Sequence, residues 1–238
     1  MNSGDKISAK NASWSFKGSV AKKFDEHISK SVPLYETTHD LYLNLSDFFL
    51  MDQSKVIDIG CSTGTFLNKI FLRHNKNQIE KKIYYQGYDN VKEMISMAKK
   101  KNKSNQISFF NKNIEKINFS NSCIVSSFYT IQFISPKKRQ TIINKIFKGL
   151  NWGGAFFMIE KVRGPDARFQ DYLTHVYNDY KLAQGYTKEE IFSKSMSLKG
   201  ILEPFSTKGN MDMLKRAGFV DIIVIFKYGC FEGYLAIK

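Results

Sequence analysis

The stretch Val56-Ile57-Asp58-Ile59-Gly60-Cys61-Ser62-Thr63-Gly64-Thr65-Phe66 limits the fold of this chain more than any other. Four residues of strand character run into a glycine, and a helical pattern begins at Thr65. A strand that ends in a glycine turn and feeds a helix opens the nucleotide-binding α/β folds. The unit then recurs. Residues 83–88 read as a second strand ending at Asp89, and 91–101 as a helix with Val91, Met94, Ile95 and Ala98 on one face. Residues 107–110, 123–129 and 155–160 read as further strands. Residues 137–150 read as a helix behind Pro136, which is placed as helix-starting prolines are. Asn151-Trp152-Gly153-Gly154 reads as that helix's stop. Strands alternating with helices predict a parallel sheet covered on both faces.

The ends depart from this alternation. Residues 1–50 read as an N-terminal helical extension, with helices over 21–28 and 40–49 separated at Pro33, which biases Val32 away from the helix. Residues 163–205 read as a helical insert or lid within a cofactor-binding domain spanning 51–238. A last helix closes at Gly218, and 219–227 with 234–238 form a hairpin. The expected fold class is therefore α/β: a doubly wound, mostly parallel seven-stranded sheet with an antiparallel C-terminal hairpin.

A chain of 238 residues, 42% of them hydrophobic, can bury a sizeable core, and 4 prolines leave little room for long disordered linkers. The 3 cysteines, Cys61, Cys123 and Cys230, lie far apart without a C-x-x-C pair. That fits a reducing compartment, the cytoplasm, and no metal site. The polar N-terminus has no apolar leader and no run approaches a membrane span, so no membrane partner is expected. The net charge of +14 comes mostly from scattered lysines. A nucleic-acid partner and a merely solvated, lysine-biased surface both remain open.

Gly60-Cys61-Ser62-Thr63-Gly64 also fits G-x-S-x-G, the nucleophile turn of serine hydrolases. That chemistry needs an acid and then a histidine downstream. His74 ends the very next helix, and His175 sits in the insert. A cofactor cradle explains more. Gly60 and Gly64 let the backbone turn tightly and approach a ligand, and the helix they open points its N–H groups at it. Asp89, at the end of the second strand, can accept both hydroxyls of a ribose. A pyrophosphate cradle needs G-x-G-x-x-G, but Ser62 stands at the second glycine and Asn68 further along. Asp58 suits a sulfonium cofactor that carries an ammonium group.

On these stretches the sequence resembles the class I S-adenosylmethionine-dependent methyltransferases, and among them the carboxy-S-adenosyl-L-methionine synthases. The matching stretches are F-D-E-H-I from Phe24, S-V-P-L-Y from Ser31, D-I-G-C-S-T-G from Asp58 and Y-D-N from Tyr88. Further on come T-I-Q-F-I from Thr130, K-I-F-K-G-L-N-W-G-G-A from Lys145, E-K from Glu160, D-Y-K-L-A-Q-G-Y from Asp179 and L-K-R-A-G-F from Leu214. The resemblance implies S-adenosyl-L-methionine as cofactor, held by Tyr35, Gly60, Cys61, Ser62, Asp89 and Asn90, and a homodimer. Three family positions differ. The acidic pair facing the adenine reads Asn113-Ile114. The fourth-strand asparagine becomes Phe128. The arginine that grips the carboxylate of carboxy-S-adenosyl-L-methionine becomes Ser195, which cannot supply two parallel hydrogen bonds.

Methyl transfer to an acceptor the sequence does not name is therefore the leading expectation. One alternative is carboxy-S-adenosyl-L-methionine synthesis from prephenate, serving tRNA wobble-uridine modification, with Lys194, Lys199 or Arg163 replacing the arginine. A second is a non-catalytic S-adenosylmethionine-binding or assembly protein. Tyr129 and Glu160, at the carboxyl ends of their strands, and His175 in the insert are the candidate residues for touching the acceptor. Phe169, Tyr172, Tyr177, Tyr180 and Tyr186 would wall an apolar pocket or an oligomer face.

Overall fold

Runs of β-branched and aromatic residues set the strands. The computed structural model describes residues 2–5, 7 and 10–238; the part of the expected N-terminal extension on residues 1, 6, 8 and 9 lies outside the described residues. Two helices come first, α1 (Ser19–Ser31) and α2 (Tyr35–Ser46). Then follow β1 (Ser54–Ile59), α3 (Thr65–Lys76), β2 (Ile83–Asp89), α4 (Lys92–Lys101), β3 (Ile107–Asn111), β4 (Ser122–Phe128), α5 (Pro136–Gly149) and β5 (Leu150–Lys161). The insert contributes α6 (Ala167–Ala183) and α7 (Lys188–Ser197), and α8 (Thr207–Ala217), β6 (Asp221–Tyr228) and β7 (Phe231–Ile237) end the chain.

The seven strands form one sheet in the order β3-β2-β1-β4-β5-β7-β6. Strands β1 to β5 pair in parallel. β7 lies antiparallel between β5 and β6, so the C-terminal hairpin inserts one of its strands into the sheet. The direction of winding reverses between β1 and β4, and a crevice opens at such a point beyond the carboxyl ends of the strands.

The strands are apolar on both faces because both faces are covered. Phe156 and Met158 of β5 pack with Ile57, Ile59 and Val125 against Ile142, Ile143 and Ile146 of α5 and Leu214 of α8. Phe157 and Ile159, one residue out of phase, pack with Val56 and Ile124 against Leu67 and Ile70 of α3, Ala98 of α4 and Tyr42 of α2. Each buried Val, Leu, Ile, Phe or Met side chain among these contributes about 1.5–3 kcal/mol. The Tyr42 hydroxyl donates to the Tyr234 carbonyl at 2.9 Å, which ties α2 to β7.

Of the boundaries that differ from the sequence reading, three have a visible local cause. Asn151-Trp152-Gly153-Gly154 does not merely stop α5; it already belongs to β5, and the N–H of Gly153 donates to the Lys238 carbonyl at 2.7 Å. β7 begins at Phe231 rather than 234, because Glu232 is buried with the Thr207 hydroxyl and the Lys227 ammonium as partners, each at 2.7 Å. α2 starts at Tyr35, just after Leu34 in a left-handed conformation, five residues before its apolar periodicity becomes clear.

Candidate functional site

A cavity of about 1230 Å³ occupies the crevice beyond the carboxyl ends of β1, β2, β4 and β5, and α1, α6 and α7 complete its wall. Ordinary single-ligand pockets enclose about 300–1,000 Å³, so this one has room for two substrates.

One end is built from the glycine turn. Gly60 has φ +67°, and a Cβ there would fall 2.1 Å from Thr130 Oγ1. The N–H groups of Gly60 and Cys61 both donate to the Tyr88 carbonyl, at 2.8 and 3.0 Å, so the turn is pinned to the end of β2. Asp89 is pinned from the same side. Its Oδ2 accepts the Ser62 N–H at 3.0 Å and its Oδ1 the Val91 N–H at 2.8 Å. Each oxygen keeps a lone pair for a ligand hydroxyl. Gly64, φ +79°, opens α3 without lining the cavity; a Cβ there would meet the Phe109 ring at 2.7 Å.

Asp58 lies behind this turn, buried, with Oδ1 accepting the Ser126 hydroxyl at 2.7 Å. Burial pushes its carboxyl up to about 7, and among the described residues no cation lies within ion-pair distance of it. A ligand ammonium would complete it. The Tyr129 hydroxyl and His39 Nδ1 are buried on the cavity wall without hydrogen-bond partners; the neighbouring Thr38 hydroxyl is committed to the Tyr35 carbonyl at 2.8 Å. An acid without its cation, carboxylate oxygens that each keep a lone pair and orphaned polar atoms fit S-adenosylmethionine, which carries an ammonium group, a ribose and a sulfonium.

The other end is cationic. Lys161, at the end of β5, and Lys181, on α6, are half-buried on the wall, and each ammonium lies 4.5 Å from the centroid of the Tyr177 ring. Lys194 of α7 lies over Trp14 and within 3.2 Å of His27 Nε2. His27 Nδ1 in turn contacts Asp5 Oδ2 at 2.6 Å, and the Tyr186 hydroxyl donates to the same oxygen at 2.7 Å.

The structure brings Tyr35, Asp58, Gly60, Cys61, Ser62, Asp89, Asn90, Ile114, Phe128, Tyr129 and Ser195 to this one cavity. Phe128 packs 4.5 Å from the Phe66 ring and 5.5 Å from the His39 ring, an apolar wall where the family has an amide. Other candidates stand elsewhere. Asn113 is exposed, and its side-chain oxygen caps the Glu115 N–H at 3.0 Å instead of lining the cavity. Glu160 is 2% exposed and sits behind the wall, accepting N–H bonds from Thr130, Ile131 and Gln132 at 3.2, 2.9 and 2.9 Å. It shapes the turn after β4. Burial pushes its carboxyl up to about 8 against the pull of those donors. His175 is exposed, on the side of α6 away from the cavity. Of the insert's aromatics, Tyr177 and Tyr186 line the cavity, whereas Phe169, Tyr172 and Tyr180 do not. The Ser62 hydroxyl faces Met94 Sδ at 3.5 Å, with no histidine beside it among the described residues.

Lys161, Lys181, His39 and Asp25 were not singled out from sequence. The signal for Lys161 was present, since the residue after Glu160 ends a parallel strand where ligands bind. Asp25 accepts the Thr63 hydroxyl at 2.5 Å and fastens α1 to the glycine turn; its helical pattern gave no hint of that contact.

Residues 56–154 match a methyltransferase domain family. The solved structures that resemble the chain include an O-methyltransferase family protein from Burkholderia thailandensis, with TM-score 0.63 and 17% identity over 92% of this chain and 59% of that one. Human N-acetylserotonin methyltransferase, solved in complex with S-adenosylmethionine, gives TM-score 0.61 and 16% identity over 92% and 56%. These likenesses establish the fold. Among the described residues no helix is long and apolar enough to cross a membrane. Curated relatives match nearly end to end. The carboxy-S-adenosyl-L-methionine synthase of Staphylococcus epidermidis is 36% identical over 94% of this chain and 97% of its own length. That of Campylobacter jejuni is 40% identical over 94% and 93%. Because the match extends far beyond the cofactor core into the helices that complete the cavity, the chain belongs to the carboxy-S-adenosyl-L-methionine synthase family, S-adenosylmethionine-dependent transferases on the class I methyltransferase fold.

Proposed function

We propose that this protein carboxylates S-adenosylmethionine at its methyl carbon, with prephenate as the carboxylate donor, and that the product serves tRNA wobble-uridine modification. The observation that carries this reading is the polarity of one cavity. Its acidic end suits the cofactor, and its cationic end, with space to spare, suits a second, anionic substrate. The activity named for the end-to-end relatives supports it.

Asp89 would hold the ribose hydroxyls, Asp58 the ammonium, and Ile114 and Tyr35 would flank the remainder. When bound, the cofactor supplies a methyl carbon made acidic by its positive sulfur. The chain's own residues orient the two substrates and hold the carboxylates of the second substrate, which is positioning and electrostatic work. In sum, the methyl carbon loses a proton and gains a carboxylate. Prephenate loses that carboxylate and its ring hydroxyl to become phenylpyruvate, and the proton and hydroxide leave as water. No oxidant or reductant is required.

Ser195 favours a second reading, plain methyl transfer, because the family's carboxylate-gripping arginine is absent. Mass spectrometry of the purified protein turning over S-adenosylmethionine and prephenate separates the two. Carboxy-S-adenosyl-L-methionine and phenylpyruvate in equal amounts are expected. Unchanged S-adenosylmethionine in the presence of prephenate would leave methyl transfer as the function.

A further inference from the structure

The cations on the cavity wall differ in what they already hold. Arg163, Lys199, Lys17, Lys112 and Lys188 are exposed, with water available to their charge. Lys194 is engaged by Trp14 and His27. Lys161 and Lys181 are different. Both are drawn out of water, and among the described residues neither has an acidic side chain within ion-pair distance. Both approach the same ring. Tyr177 is itself fixed, its hydroxyl donating to the Ser31 carbonyl at 2.8 Å. A ring face offsets only part of what desolvation and mutual repulsion remove. A fold that holds two like charges this way leaves them matched to an anion from outside.

We infer that Lys161 and Lys181 form the seat for a carboxylate of the second substrate. The inference rests on the reading that S-adenosylmethionine fills the acidic end and a carboxylic acid the other. The two lysines reach the cavity from β5 and α6, and two ammonium groups can each donate to one carboxylate.

The electrostatic surroundings supply a readout specific to this role. Burial, and then Lys161, hold the Lys181 ammonium down to about 8. The groups around it are Lys161 on β5, Tyr177 on its own helix, Lys194 on α7 and Cys230 in the β6–β7 turn; burial keeps the Cys230 thiol protonated. A bound carboxylate would pull the lysine's proton affinity up again, so binding near pH 8.5 takes up a proton.

Prephenate is titrated calorimetrically into protein loaded with S-adenosylhomocysteine, which blocks turnover. Lys161→Met and Lys181→Met should each weaken prephenate binding by about 10- to 100-fold and leave S-adenosylhomocysteine affinity unchanged. Lys181→Arg should retain prephenate binding but lose the buffer-dependent heat of proton uptake that wild type shows at pH 8.5. Prephenate affinity equal to wild type in both methionine variants overturns the seat. Wild type that holds S-adenosylhomocysteine but no prephenate overturns the seat and the proposed reaction together. Lysine-dependent prephenate binding without carboxylated product on turnover supports the seat and sinks only the reaction.

Discussion

The two ends of the cavity are held in place by different means. At the acidic end both carboxylates and the glycine turn are tied into the fold. Asp89 is fixed by two backbone N–H groups, Asp58 by Ser126, and the turn by paired hydrogen bonds to Tyr88. At the cationic end Lys161 and Lys181 rest on one ring and on no acidic side chain among the described residues. The acidic end is thus part of the folding problem, whereas the cationic end is a cost the fold carries. Substitutions at the first should harm stability or cofactor binding, and at the second should spare both.

The largest effect belongs to Gly60. Gly60→Ala forces an alanine to positive φ and a Cβ into Thr130, so urea unfolding should show a loss of about 2–5 kcal/mol. A loss below about 0.5 kcal/mol, the ordinary effect of a surface substitution, would mean that Thr130 and Tyr88 do not brace the turn. Next is Asp89→Ala. Calorimetry should find S-adenosylmethionine bound about 1.5–3 kcal/mol more weakly, the worth of charge-assisted hydrogen bonds. Equal affinity would remove Asp89 from the cofactor site.

The smallest effect has the opposite sign. Lys181→Met should stabilise the protein by about 1 kcal/mol, since one side of the lysine still sees solvent. The pH window follows from proton counting. The ordinary lysine value is 10.5 and the folded one about 8, so between them the unfolded chain holds more protons, and wild-type stability gains with rising pH. The variant's advantage should be full below pH 8 and gone by about 10.5. An advantage constant with pH would trace to packing instead of charge, and the contrast between the two ends would fail.

The same contrast explains what the sequence disclosed. The acidic end is local: Asp58, Gly60, Ser62 and Gly64 lie within seven residues, and Asp89 ends the next strand, so motif and spacing carry it. The sheet was legible for a similar reason, because strands such as Val56-Ile57-Asp58-Ile59 are buried on both faces and read as apolar runs. The cationic end joins Lys161, Lys181 and Lys194 across β5, α6 and α7, and no spacing rule links them. Helical periodicity placed residues on α6 without telling which side meets the cavity, so His175, which faces solvent, was indistinguishable from Lys181, which lines the cavity. The start of β5 was hidden because Asn-Trp-Gly-Gly is turn-like in composition, and pairing with Lys238 on one side and Ser122 of β4 on the other makes it strand.

Glu160 and Lys161 are neighbours on one strand and so face opposite ways. The first anchors the turn after β4 from within the core, and the second stands free at the cavity. That division separates inheritance from experiment: a lineage can exchange the residue at 161, or at 181 and 195, one at a time, while the scaffold they stand on stays unchanged.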